Sequence, residues 1–278
     1  MNYKIIAIYC TCDDILKELG VKDDPQVKMT TAELMTLSIA AALLFFGNHE
    51  RARLILGSQK YFRSILSKSQ LNRRLHAIDR SVWEALLSCF SQRFKQLNEE
   101  NEYIVDSFPI SSCQNCRIPR TKLLKGKQYH GYCASKKSYF FGVKVHVVTT
   151  CKGCPVEVSI TPGSVADITA FRNLALDLQK GSRIYGDKAY TDYSYEDHLL
   201  QDADIELVAQ RKSNSKRPLI GPKKYLQASR RKRIETSFSQ ITRLFPRHIN
   251  AVNRAGFELK IICFIIAFCF HLESKVAA

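Results

Sequence analysis

Three acidic residues that lie far apart in the sequence could act together on one substrate. Asp106 and Asp187 each follow a short apolar run, and Glu235 lies one residue past a cluster of four basic residues, 230–233. Three oxygen-donor side chains that meet in one place suit hard divalent cations such as Mg²⁺ or Mn²⁺. These residues therefore predict a divalent metal centre, provided that the fold brings them together.

The chemistry that such a centre suits best is in-line displacement at phosphorus. Two divalent ions about 4 Å apart can activate the attacking oxygen and stabilise the leaving one. On this hypothesis Asp106 bridges the ions, Asp187 holds one and Glu235 holds the other. Each acid also has a plainer interpretation: the two aspartates as turn residues, and Glu235 as an exposed ion-pair partner. The three acids taken together, in this order, favour the metal site.

The charge of the chain indicates a polyanionic partner. In 278 residues there are 42 Lys and Arg against 26 Asp and Glu, which gives a formal charge of +16. Such a surface attracts nucleic acid largely without regard to base sequence. A basic protein with no nucleic-acid role is the alternative, but the basic residues are clustered, and ten of them fall in 211–233 without an acid. An acidic metal centre in a basic protein predicts metal-assisted chemistry on nucleic acid.

Residues 1–98 predict helices that would form an all-α DNA-binding region. Thr30 or Thr31 can cap one helix, Ser67 or Ser69 a second and Ser81 a third. The segment after Ser67 resembles the second half of a helix-turn-helix, and its polar side would present Arg73 and Arg74 to DNA. An ordinary helical bundle with a solvated basic face remains the alternative.

Residues 99–278 predict a mixed α/β domain that would position the acids. Strands are expected at 103–105, 139–149, 156–161, 183–185 and 205–209, and helices are expected after Asp167, after Asp192 and from Arg230. This order predicts a mixed β-sheet flanked by helices, the character of an RNase H-like core, with acids at strand ends and on the last helix. Asp167 and Asp192 are interpreted as helix caps, and His146 as a packed strand residue.

Three local motifs around the acids resemble the DDE transposases of bacterial insertion sequences, most closely the insertion sequence 982 family. They are V-D-S-F-P at 105–109, Y-G-D-K-A-Y at 185–190 and R-R-K-R-I-E-T-S-F-S-Q-I at 230–241. The stretches 131–146 and 161–164 are also similar. The resemblance covers about 100–250 and, more loosely, the helical N-terminus.

The resemblance implies a DNA transposase that cuts transposon ends and joins them to target DNA. It implies that Asp106, Asp187 and Glu235 bind two Mg²⁺ ions, for which Mn²⁺ can substitute, and that the partner is double-stranded DNA. Four basic residues are expected to contact phosphates of the DNA near the metals: Lys188, Arg231, Lys232 and Arg233. Arg231 matches the arginine of the Y-R-E-K signature of related transposases.

Two positions depart from that signature. Its tyrosine falls at Ala228 and its last basic position at Thr242, which puts the end-binding role of those positions in doubt. Joining two ends in one complex makes a homodimer plausible. A nuclease of RNase H-like fold that cuts without joining, and a DNA-binding protein without catalytic activity, are the alternative functions.

Ten cysteines and one long apolar segment bear on the compartment. The pairs Cys113/Cys116 and Cys151/Cys154 have the spacing of zinc ligands, but free reduced thiols are the default expectation and structural zinc is the alternative. The apolar run 261–270 is short for a bilayer and predicts a buried C-terminal helix. Without a signal-peptide pattern, we expect a cytoplasmic protein with no membrane partner.

Overall fold

A computed structural model describes residues 2–134 and 137–276. Within this range nothing is described of the side chains of residues 2, 233–235, 237 and 274–276. The chain divides into two compact units: residues up to Cys89 together with those from Ile241 onward form the first, and Phe90–Gln240 forms the second.

The first unit is built from helices. They are α1 (Asn2–Glu18), α2 (Thr31–Phe45), α3 (His49–Ser58), α4 (Lys68–Ala77), the first part of α5 (Arg80–Gln96), and α9 (Arg254–Val276). Helix α2 begins with a capping box, in which the Thr30 hydroxyl accepts from the Glu33 N–H while the Glu33 carboxylate accepts from the Thr30 N–H. Ser67 caps α4 in the same way through Gln70. Both caps were among the predicted alternatives and are confirmed.

The second unit contains a six-stranded sheet. The strands are β1 (Glu102–Cys113), β2 (His130–Cys133), β3 (Ser138–Thr150), β4 (Pro155–Pro162), β5 (Arg183–Gly186) and β6 (Glu206–Ala209). Their spatial order is β2, β3, β1, β5, β6, and β4 pairs with β3. Pairing is antiparallel from β1 to β3 and from β3 to β2 and β4, and parallel from β1 to β5 and from β5 to β6.

Helices α6 (Asp167–Arg172), α7 (Tyr193–Ala203) and α8 (Pro222–Leu244) accompany this sheet, and α8 continues into the first unit. The predicted mixed α/β architecture, with a mixed sheet flanked by helices, is therefore confirmed. Asp192 caps α7 by accepting from the Tyr195 N–H at 3.2 Å, as predicted.

Four local predictions were wrong. The strand predicted at 103–105 continues to Cys113 because it pairs with β3 along this length, so Asp106 lies within β1 and not at its end. Helix α8 begins at Pro222 rather than Arg230, since a proline suits the first turn of a helix and its N–H is not needed there. Asp167 is the first residue of α6 and not its cap, because its carboxylate is used elsewhere. Helix α5 begins before Ser81, whose N–H donates to the Asp79 carboxylate at 2.8 Å.

The compact units do not follow the predicted division at residue 98. Helix α9 groups with the N-terminal helices, whereas it had been assigned to the second domain, 99–278. This helix buries its apolar side chains against neighbours such as α2. The division into functional domains, 1–98 and 99–278, stays a prediction.

Helix α9 is also long and apolar enough to cross a membrane. The segment is Arg254–Glu273, and 78% of its apolar window is buried within the protein. A core helix of a soluble protein has the same length and composition. The expected buried C-terminal helix is confirmed in this respect.

Candidate active site

The parallel pairing of β1 and β5 brings Asp106 and Asp187 close to each other. The last register pair between β1 and β5 joins Ile104 to Tyr185. Continuing that register by two residues brings Asp106 opposite Asp187, just past the end of β5. Side chains two residues apart along a strand share a face, and neighbouring strands are about 4.8 Å apart. The parallel pairing therefore brings the first two predicted carboxylates together.

Asp106 lies in an environment that disfavours its charge. Burial, together with the nearby charges of Asp187 and Asp167, raises its pKa to about 7. Two groups oppose this shift: the Ser107 N–H, which donates to the Asp106 carboxylate at 2.7 Å, and the positive charge of Arg231. Carboxylates this crowded are typical of sites that take up cations.

Asp187 is held by the turn that follows β5. Its carboxylate accepts from the Ala189 N–H at 2.8 Å and so caps a short 3₁₀ helix, Lys188–Tyr190. Lys188 itself is exposed beside it. This geometry is consistent with both interpretations of Asp187, as a turn residue and as a residue of the metal site.

Helix α8 lies along the face of the sheet that carries Asp106. Its Gln227 donates to the Gly186 carbonyl at 3.1 Å, directly before Asp187. Arg231 donates to the Gln210 side chain at 3.1 Å. Further along, Phe238 packs edge-on against Phe108, with ring centroids 5.4 Å apart.

Glu235 belongs to this stretch of α8, but its side chain lies outside the described residues, as does that of Arg233. Its position is four residues after Arg231 and three before Phe238. Residues at these spacings share one side of a helix. The place of Glu235 in the site stays a prediction.

A third aspartate, Asp167, lies near Asp106 and Asp187, although the sequence pattern predicted it only as a helix cap. The Ser107 hydroxyl donates to its carboxylate at 2.8 Å, and the Lys144 ammonium lies 3.3 Å from the same oxygen. Lys144 also donates to the Val165 carbonyl at 2.7 Å. Because Ser107 follows Asp106 directly, Asp167 braces the strand segment that carries the first acid.

His146 belongs to the same network and is fully buried, which fits a packed rather than a half-exposed strand residue, the two alternatives that the sequence left open. Its Nε2 lies 2.8 Å from the Thr161 hydroxyl, and its Nδ1 lies 3.7 Å from the Asp167 carboxylate. Burial lowers the pKa of His146 to about 4 despite the opposing effect of Asp167. The sequence could have indicated this cluster, since the alternation of β3 puts residues 144 and 146 on one face.

A second group of acids lies near the start of β1. Ligand atoms of Glu100, Glu102 and Cys151 lie within 4.8 Å of one another, so this group could hold a metal ion. The Arg230 guanidinium, however, lies 2.6 Å from the Glu102 carboxylate and 3.5 Å from that of Glu100. The Tyr185 hydroxyl donates to Glu102 at 3.0 Å. A cation supplied by the protein already neutralises this group.

The predicted DNA contacts fall in different surroundings. Arg73 and Lys232 are exposed. Arg74 is half-buried, pairs with Asp23 at 3.2 Å and donates to the Met29 carbonyl, so it has a structural role within the first unit. These geometries do not test DNA contact, which stays a prediction for each residue.

The structure joins none of the ten cysteines in a disulfide. Cys151 and Cys154 are buried, whereas Cys116 is exposed. Among the described residues, the ligand group that contains a cysteine is the one with Glu100 and Glu102, and it does not unite the two C-x-x-C pairs. Reduced thiols and structural zinc both stay predictions for these pairs.

Residues 97–249 match the family model described as the transposase DDE domain. The match covers more than half of the chain and spans Asp106, Asp187 and Glu235. The chain therefore belongs to the transposase DDE domain family. Membership indicates an enzyme with transposase activity, and the family implies DNA binding and dependence on a divalent metal ion. No curated protein matches the chain.

Proposed function

We propose that this protein is a DNA transposase that cleaves strands at transposon ends and transfers them into target DNA in a Mg²⁺-dependent reaction. The observation that carries the proposal is the closeness of Asp106, within β1, to Asp187, just past the end of the adjacent parallel strand β5, on the face covered by α8. The family match supports the same reaction class. The similarity of its motifs to the insertion sequence 982 family supports a bacterial insertion sequence as the source.

The sheet order supports an RNase H-like catalytic domain. Three antiparallel strands, β4, β3 and β1, are followed across the sheet by the parallel strands β5 and β6. The acids lie on β1, just after β5 and on α8, the last helix of this unit. In this proposal the N-terminal helices form a DNA-binding region, to which Arg73 contributes at an exposed position of α4.

The carboxylates fit a site for two Mg²⁺ ions. Burial and neighbouring acids raise the pKa of Asp106, and a divalent cation would relieve that crowding. Asp106, Asp187 and Glu235 would hold the ions, with Mn²⁺ as a substitute. When bound, the ions supply charge neutralisation at the attacking and leaving oxygens of the phosphodiester.

The remaining residues of the site position the acids and the DNA. The Ser107 N–H orients the Asp106 carboxylate, and Gln227 fixes α8 against the end of β5. Lys188, Arg231, Lys232 and Arg233 would contact phosphates, because charge-assisted hydrogen bonds to phosphate are strong. We further propose a cytoplasmic protein that acts as a homodimer when two transposon ends are joined.

The direct test is cleavage of DNA that carries the flanking inverted repeats. We expect Asp106→Asn, Asp187→Asn and Glu235→Gln each to lower Mg²⁺-dependent cleavage by at least about a thousandfold while DNA binding persists. Asp177→Asn is the matched control, since the Asp177 side chain is 91% exposed. Wild-type cleavage by the three active-site variants would refute the proposal.

Two further assays separate the alternative functions. Supplying a pre-cut end and asking whether it joins to a plasmid distinguishes a transposase from a nuclease that only cuts. A shift of DNA in a gel without any Mg²⁺-dependent nicking would favour a DNA-binding protein without catalytic activity.

A further inference from the structure

Two exposed tyrosines form a pair on the hairpin of β2 and β3. Tyr132 lies opposite Tyr139 in the strand register, and their ring centroids are 5.0 Å apart. Tyr132 is 51% exposed and Tyr139 is 73% exposed. Aromatic pairs across strands stabilise a hairpin, but these rings leave most of their surface to solvent.

The segment around this pair is basic throughout. Residues 107–156 contain nine Lys or Arg and no Asp or Glu. Within it, a 3₁₀ helix, Asn115–Arg120, is fixed beside the pair because the Asn115 side chain donates to the Tyr139 carbonyl at 3.0 Å. Arg117 and Arg120 of that helix are exposed. The tyrosines therefore lie in a field that attracts phosphates.

The pair also lies on the same face of the sheet as the first catalytic acid. Val147 is the cross-strand partner of Asp106. Tyr139 precedes Val147 by eight residues on β3, and an even number of residues keeps side chains on one face. At the rise of a strand, eight residues correspond to roughly 26 Å. DNA bound at the acids could thus reach the tyrosines.

We propose that Tyr132 and Tyr139 form a stacking platform for the bases of an unpaired DNA strand, with Arg117 holding its backbone. Bases in a duplex hide their faces from such a platform, whereas an unpaired strand exposes them, and stacking on aromatic rings tolerates any base. The inference rests on the proposed function in that its ligand is DNA. It adds a strand-binding surface distant from the acids.

The test measures binding of the full-length protein to a (dT)₂₀ strand and to a 20-base-pair duplex, in EDTA so that cleavage does not interfere. We expect the double variant Tyr132→Leu/Tyr139→Leu to bind the single strand at least about tenfold more weakly and the duplex less than about twofold more weakly. Tyr132→Phe/Tyr139→Phe keeps the rings and retains wild-type binding. Tyr3→Leu is the control, because Tyr3 is 67% exposed in the first unit.

The salt dependence of DNA binding separates the contribution of charge from the contribution of stacking. Arg117→Gln is expected to weaken both probes alike and to reduce the slope of log affinity against log salt by about one. The leucine double variant is expected to leave that slope unchanged. Equal loss on both probes in the leucine variant, or no loss on either, would overturn the platform.

Photocrosslinking keeps the proposal testable if the leucine variant does not fold. Wild-type protein and a strand carrying 5-iodouracil are irradiated, and we expect crosslinked peptides that contain Tyr132 or Tyr139. Crosslinks that map elsewhere would overturn the proposal. Because these measurements need no catalysis, they can fail while Mg²⁺-dependent cleavage succeeds, and the reverse also holds.

Discussion

Two groups of acids meet β1 at Glu102 and at Asp106, four residues apart, and they differ in what neutralises them. Near the strand start, Glu100 and Glu102 face Arg230, which lies 2.6 Å from Glu102. Further along, burial and the nearby charges of Asp187 and Asp167 raise the pKa of Asp106 to about 7. The first group resembles an internal ion pair, whereas the second retains an excess of negative charge.

The difference shows why a cluster of acids alone does not define a metal site. Removing charges from water is costly, so a buried acid needs a counter-charge. For Glu102 the chain itself provides one from α8. Arg231, whose charge lowers the pKa of Asp106, donates to the Gln210 side chain instead, at 3.1 Å. A divalent cation is the natural complement of the second group.

Among substitutions in the two groups, Glu102→Gln is expected to change the stability of the protein most. This change leaves Arg230 half-buried without its main partner, and breaking such a pair costs about 3 kcal/mol. Urea denaturation would measure the loss. We expect cleavage per folded molecule to stay within a few-fold of wild type, and a loss of cleavage as large as that of Asp106→Asn would remove the distinction between the groups.

Asp106→Asn, measured in EDTA, is expected to raise the free energy of unfolding, and by less than Glu102→Gln lowers it. The raised pKa means that the folded protein resists ionising Asp106, a penalty that is absent below about pH 4 and complete above about pH 7. The variant should therefore be more stable than wild type at pH 8, by on the order of 2 kcal/mol, and equal to it near pH 4.

Thermal unfolding at the two pH values checks this prediction. Added Mg²⁺ should raise the Tm of wild type and not that of the variant, because only wild type retains the full set of carboxylates. A variant that is less stable than wild type at pH 8 without metal would contradict the crowding of the site.

The smallest change in stability is expected for Ser107→Ala. It removes the 2.8 Å hydrogen bond to Asp167 while keeping the N–H that orients Asp106. One hydrogen bond to a charged group contributes about 1.5–3 kcal/mol at most. We expect a loss of about 1 kcal/mol in stability and a modest fall in cleavage rate. Unchanged stability would mean that Asp167 does not brace β1.

Sequence alone predicted much of the second unit and less of its site. Strands such as β3 and β5 carry strong apolar patterns, and parallel pairing of β1 and β5 explains why two predicted acids meet. The role of Asp167 could not be read, because an aspartate before an apolar helix is usually a cap and only tertiary packing brought it to Ser107 and Lys144.

The start of α8 and the grouping of α9 were also beyond the sequence. A run of basic residues is typical of a loop, but α8 extends through it from Pro222. Helix α9 is apolar enough to pack in either unit, and its partner α2 could not be inferred from its own residues. In both cases the structure is determined by tertiary packing, which the local sequence pattern does not specify.

Anomalous diffraction from crystals soaked in Mn²⁺ tests the central claim most directly. We predict Mn²⁺ peaks bound by the carboxylates of Asp106 and Asp187, with Glu235 completing the site. Mn²⁺ at Glu100, Glu102 and Cys151 with none at Asp106 would contradict the account, because the group paired with Arg230 would then be the metal centre.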